Sequence, residues 1–152
     1  MRNILIILFL CLGLNAQAQK GFRYLSIAGG NNVFETEENY SFDVELESVK
    51  DNYHVLSFGV NGYKQKDKEE YLGFIAWKPP MSKSKNFMTK WNLNFDMGHN
   101  RKDLIFGFGA GVEFQYHFKN HLILFAEHQY KALFFADDFW RNQTSVGIKI
   151  SL

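Results

Sequence analysis

Two stretches of the sequence carry residues that do chemistry in other settings. GFGAG, from Gly107 to Gly111, has the glycine density of a loop that cradles a phosphate. Such loops follow a strand and open a helix, so that backbone N–H groups converge on the anion. Here the glycines occupy every second position of an alternating run, as small residues on one face of a strand would. His117 and His121 stand four apart, but Lys119-Asn120 between them reads as a turn. That spacing aims two imidazoles at one metal only on a helix, and neither a metal nor a cofactor is expected. Cys11 is the single cysteine and lies in an apolar run near the start, so thiol chemistry is not expected of the remainder.

The elements that would position any such residues read as strands, because the dominant signal after Gln19 has period two. In DLIFGFGAGVEFQYHF, Leu104, Phe106, Phe108, Ala110, Val112, Phe114, Tyr116 and Phe118 alternate with a set that is mostly small or polar. FMTKWNLNFDMG sets Phe87, Trp91, Leu93, Phe95 and Met97 against Lys90, Asn92, Asn94 and Asp96. YSFDVELE sets Tyr40, Phe42, Val44 and Leu46 against Ser41, Asp43, Glu45 and Glu47. Weaker runs at Gly21 to Ala28, His54 to Tyr63, Glu70 to Lys78, His121 to Phe134 and Thr144 to Leu152 bring the expectation to eight strands. No useful helical stripe follows the first segment, and the connections are short and polar. The class is therefore all-β, with neighbouring strands antiparallel in up-and-down order.

Alternation alone does not decide whether the apolar face points in or out. Volume does, because eight strands enclose only enough space for side chains to fill. The strand from Asp103 to Phe118 would by itself send Phe106, Phe108, Phe114, Tyr116 and Phe118 inside. Turned outward, the aromatics face lipid, and the expected fold is an eight-stranded transmembrane barrel. Its interior polar residues would be Arg23, Asp43, Glu45, Lys90, Asp96, Glu113, Glu127, Lys131 and Lys149, joined by Glu47, with opposite charges paired. Tyr40, Tyr63, Trp77, Phe118, Phe134 and Trp140 would form two interfacial girdles. The segments 29–39, 64–69, 99–102 and 136–142 would face outside, with KDN, PPMSKSKN and KN as periplasmic turns.

The first residues, MRNILIILFLCLGLNAQAQK, combine a positive start, an apolar run from Ile4 to Leu14 and the triplet Ala16-Gln17-Ala18. This is the pattern of a secretory signal peptide, cleaved after Ala18, which leaves residues 19–152 as the barrel domain. Loss of Arg2 takes the 17 basic residues to 16, equal to the 16 acidic ones. A neutral product has no electrostatic attraction for a polyanion, and nucleic-acid binding is not expected. At the other end, Val146, Ile148, Ile150 and Leu152 alternate with Ser145, Gly147, Lys149 and Ser151 to the last residue. This stretch is expected to close the barrel by pairing with the first strand.

SVGIKISL also resembles the carboxyl-terminal signal by which the barrel-assembly machinery recognises outer-membrane barrels, with Leu152 where an aromatic is commoner. His128 resembles in position the catalytic histidine of the outer-membrane lipid A deacylases, which use a His-x-Ser pair. Here the sequence reads His128-Gln129-Tyr130, without that nucleophile, and no enzymatic activity is expected.

A wider resemblance covers about half of the chain. Phe106, Gly109, Ala110, Gly111, Lys131, Leu133, Phe134, Val146, Gly147, Ile148, Lys149 and Ile150 match the pattern of the carboxyl-terminal half of the TraO family of conjugative transposons in Bacteroides-type bacteria, and FGVNGY (Phe58 to Tyr63) fits the same pattern. The resemblance implies a non-enzymatic outer-membrane component of the conjugative DNA-transfer apparatus, with lipid and other transfer proteins as partners. A lipid-active barrel, an envelope-structural barrel of the OmpA/OmpX type and a soluble secreted binding barrel are the alternatives.

Overall fold

The computed structural model describes residues 24–32, 39–65, 68–99, 103–119, 121–136 and 139–152. The proposed signal segment 1–18 and Arg23 lie outside these residues. The described chain is nine β-segments: β1 Tyr24–Asn32, β2 Asn39–Val49, β3 Val55–Gln65, β4 Lys68–Lys78, β5 Pro80–Lys83, β6 Phe87–His99, β7 Leu104–Lys119, β8 Leu122–Phe134 and β9 Trp140–Ser151. A single 3-10 turn, Asp51–Tyr53, joins β2 to β3.

Every pairing is antiparallel, and each segment pairs with the next in sequence except that β4 and β5 both pair with β6. β6 pairs with β4 from Trp77↔Leu93 to Tyr71↔His99 and with β5 from Pro80↔Lys90 to Lys83↔Met88. β4 and β5 are thus one stave interrupted at Pro79, and the wall has eight staves. The break has a local cause, since a proline has no N–H to give to the ladder and is tolerated at bulges. The expected loop PPMSKSKN is correspondingly shorter, because Pro80 to Lys83 pair, and the reversal is confined to Ser84–Asn86, with Ser84 N donating to Phe87 O at 2.8 Å.

The sheet closes through β9 on β1, from Tyr24↔Ser151 to Asn32↔Gln143, so neither has a free edge. Following the register once around the wall fixes the geometry. Val49 faces Val55, Val55 faces Lys78, and continuing the ladder one step past Trp77↔Leu93 sets Lys78 beside Asn92. From there the row runs through Gly111, Gln129 and Gln143 to Asn32, which the β1–β2 ladder carries to Asn39. The row returns to β2 ten residues from its start, a shear of ten for eight staves. Such a shear tilts strands by about 40°. At about 2.4 Å of height per tilted residue, the ten residues from Val49 to Asn39 span about 24 Å. That matches the apolar band of about 25 Å in transmembrane barrels.

The alternation in the sequence is the alternation of the wall. Along β6 the odd-numbered Trp91, Leu93, Phe95 and Met97 are exposed, and Lys90, Asn92, Asn94 and Asp96 are buried. β2, β7 and β9 behave likewise. The apolar face therefore lies outside, as the volume argument requires.

Several strands run further than the sequence suggested. β1 continues through Gly29 to Asn32, and β9 begins at Trp140 rather than Thr144. The β1–β9 ladder carries β1 through glycine- and asparagine-rich sequence that reads as loop, and the β8–β9 ladder carries β9 back from Asn142 to Trp140.

Candidate functional site

Inside the wall, apolar side chains lie towards both ends and charge lies between them. Leu72, Ile105 and Leu133 are fully buried at the end that carries the longer connections. Val55, Met88 and Ile123, each within two residues of a strand end, are buried at the end that carries the tight turns.

The middle is organised around two lysines. Lys78 Nζ lies 2.8 Å from Glu45, 3.3 Å from Glu47, 2.9 Å from Glu113 and 4.0 Å from Glu127. Lys149 donates to Glu47 and, at 2.7 Å, to Glu113. Glu45, Glu47 and Glu113 form a set whose carboxylate oxygens lie within 4.8 Å of one another. That is the spacing of a cation site, and the two ammonium groups sit in it. Polar side chains take further lone pairs: Gln115 donates to Glu113, Asn92 to Glu127, and Gln129 to Glu127 at 2.6 Å. Above this layer Lys131 bonds Asp96 at 3.1 Å, and Asn94 donates to the same carboxylate. Asp43 accepts from Asn61 and, at 3.2 Å, from Gln143, which also bonds Ser41 at 3.0 Å. Nearer the loop end Arg141 meets Glu70 at 2.8 Å and stacks on the Tyr63 ring, 3.8 Å from its centroid.

A charge taken out of water is tolerated only with counter-charge and hydrogen bonds around it, and this network supplies both. A small cavity remains in the middle, lined by residues that include Asp43, Lys78, Asn92, Asn94, Glu127 and Lys131. Small residues on the inner face give the large ones room: Phe74 reaches across so that a side chain at Gly59 would meet its ring at 2.7 Å.

Of the interior residues expected from sequence, Glu45, Glu113, Glu127, Lys149, Lys131 and Asp96 are brought into this network, and Asp43 joins it through Asn61 and Gln143. Lys90 is buried on the inner face opposite Glu113 in register but makes no ion pair among the described residues. Tyr63, expected in an aromatic girdle, is 4% exposed and points inward, because it shares the face of Val55, Ser57 and Asn61. Tyr40, Trp77, Phe118, Phe134 and Trp140 lie outside, as expected.

Sequence reasoning missed the central cation. By sequence Lys78, before Pro79-Pro80, looks like the end of its strand, yet it continues the inner set Glu70, Leu72, Phe74, Ala76. Arg141 falls in the expected loop 136–142 and Gln143 just before the strand expected from Thr144, although both extend the inner alternation of Ser145 and Lys149.

The exterior holds the remaining candidates. Val146, Ile148, Ile150 and Leu152 are all exposed on the outer face of the closing strand. His128 also faces outward, and its Nδ1 lies 2.7 Å from the Thr144 hydroxyl across the β8–β9 ladder. The hydroxyl that is missing two residues along the strand is present one strand over. His117 is part-buried on the opposite face of β7 from Phe118, and His121 stands in the turn before β8.

No family model matches the chain, and no curated protein matches it. Solved structures do resemble it. Neisserial surface protein A superposes with a TM-score of 0.63 at 12% identity, over 87% of this chain and 97% of its own. A de novo designed transmembrane β-barrel superposes with a TM-score of 0.62 at 14% identity, over 88% of this chain and 98% of its own. At such identities the likeness concerns the fold, and the fold is an eight-stranded antiparallel transmembrane β-barrel.

Proposed function

We propose that this chain is a non-enzymatic barrel of the bacterial outer membrane that serves the conjugative DNA-transfer apparatus. The observation that carries the membrane assignment is the inversion of the wall: apolar side chains surround a belt about 24 Å high, and the charges are inside, paired with one another. A soluble binding barrel needs the reverse arrangement. The filled interior argues against a general porin and for a role exercised through contacts at the rims and the outer wall.

The transfer role is supported by the TraO resemblance. Its carboxyl-terminal matching residues fall on three adjacent staves, β7, β8 and β9, and include the interior lysines Lys131 and Lys149, while FGVNGY lies on β3. On this reading the outer face of β9 is what the barrel-assembly machinery recognises, lipid surrounds the belt, and other transfer proteins meet the loops. Deleting the gene from a donor should lower transfer of the mobile element without changing growth. Transfer at the parental rate would end the conjugation assignment and leave the barrel standing.

The contact between His128 and Thr144 favours a second reading, a lipid-active barrel, since a hydroxyl within hydrogen-bond reach of an imidazole is the core of an acyl-transfer site. The outer face between the rims offers no described carboxylate to orient the ring. We therefore expect lipid A acylation to be the same with the wild type, with His128→Ala and with neither. Acyl loss with the wild type alone, seen by mass spectrometry, would favour the enzyme.

A further inference from the structure

The belt is apolar around most of its circumference and polar on one side. On the outer faces of β2, β3, β4, β6 and β7, the residues between the rims are aliphatic, aromatic or glycine, with Ser48 and Thr89 at the turn ends and Lys64, Glu69 and His99 at the loop ends. On β8, β9 and β1 the same face carries His128, Tyr130, Asn142, Thr144 and Asn31. The register makes them neighbours, with Tyr130 opposite Asn142, His128 opposite Thr144, and Thr144 opposite Asn31.

Their height follows from the same register. The row that climbs from Val49 to Asn39 in eight steps passes Gln129 at the fifth and Gln143 at the sixth. His128 and Thr144, each one residue nearer the turn end, sit about 13 and 16 Å up a belt of about 24 Å. This is the middle of the hydrocarbon, where polar groups are costly unless they find partners. His128 and Thr144 satisfy each other in part. Asn142, on the same face by alternation, is 8% exposed with both amide atoms buried, so it lies beneath the surface, whereas Tyr130 and Asn31 are exposed beside the His128–Thr144 pair. Gly29, Ala126 and Val146, side by side in register, present small or short side chains, bordered on β2 by Phe42, where the opposite wall presents Ile75 and Phe95.

We infer that β8, β9 and β1 form a lateral docking surface for a second copy of this chain within the membrane. Small residues let two walls approach closely, and the polar groups can then bond across the contact. The chemistry selects the occupant. A lipid phosphate would call for fixed positive charge, and this patch has none. Imidazole, hydroxyl, phenol and carboxamide each hold both a donor and an acceptor. A patch composed of such groups complements itself under a two-fold axis, so an identical copy supplies every partner that the first one lacks.

Site-directed cross-linking tests the inference with purified protein in phosphatidylcholine bilayers, in a Cys11→Ser background. Val146→Cys, central to the patch, should give a disulfide-linked species of twice the monomer mass on mild oxidation, at least tenfold more than Ile75→Cys on the opposite wall. Adding His128→Leu, Tyr130→Phe and Thr144→Val should lower that yield tenfold or more while the folded form on unheated gels is retained. If Val146→Cys does not fold, Ala126→Cys takes its place. Equal yields from the two walls, no dimer from either patch position, or yields indifferent to the triple substitution would each overturn self-association. So would cross-linking in native membranes that joins Val146→Cys to a different polypeptide while the pure protein stays monomeric.

Discussion

Lys78 bears more of the structure than any other single side chain, because three buried carboxylates converge on it within 3.3 Å. Replacing it with methionine keeps the volume and strands those charges in the interior. Breaking a buried pair from one side costs about 3–5 kcal/mol. Lys78→Met should therefore lower the urea midpoint of unfolding in lipid vesicles markedly, as followed by tryptophan fluorescence. Lys90→Met removes an ammonium that makes no described ion pair and should cost far less. A reversed order would mean that the network is not organised as described. Outside the belt, a different lysine acts on a different group. Tyr53, in the turn after β2, has its phenol held below the usual value by the hydrogen bond and charge of Lys83. A lowered phenol pKa means that the phenolate forms at lower pH. Lys83→Met should thus move the Tyr53 component of an ultraviolet pH titration upward, with Tyr53→Phe identifying that component.

At the scale of elements, the closing ladder between β9 and β1 determines whether the wall has edges. Deleting Lys149 to Leu152 removes the pairs to Tyr24, Leu25 and Ser26, the pairs to Leu122 and Ile123, and the Lys149 ammonium itself. Almost no folded barrel should be recovered, either in cells or on refolding into detergent. Leu152→Asp leaves those pairs in place and alters only the outer face, so it should refold normally from urea yet accumulate poorly in the outer membrane. Normal accumulation would remove the recognition role from Val146, Ile148, Ile150 and Leu152. These elements were also where the sequence was most and least legible. Long runs such as β6 and β7 show their faces directly, since one face is lipid-facing and the other polar over more than ten residues. At strand ends composition and alternation disagree. Lys78 before two prolines, Arg141 after an acidic loop and Gly29 to Asn32 all look like connections, and only the pairing partner across the ladder shows that they belong to the wall. Tyr63 was misplaced for a related reason, because a tyrosine near a rim suits a girdle by type while its position in the alternation sends it inside to Arg141. The His128–Thr144 contact was illegible because the two residues are adjacent only through register.

For the whole molecule the central claim is that the wall faces lipid and the charges face one another inside it. Exposed residues on the outer face include Phe42, Ile75, Trp91, Phe95, Phe108, Phe114 and Val146, and in water such a surface would aggregate or seek cover. In a bilayer it is the surface that holds the protein in place. The most direct measurement expresses the full chain in a bacterium with an outer membrane, separates the membranes, and compares heated with unheated samples on a detergent gel. The account predicts that the protein is found in the outer-membrane fraction and migrates differently when unheated, because a closed ladder of eight staves resists detergent until it is boiled. A folded monomer that is soluble without detergent would contradict it.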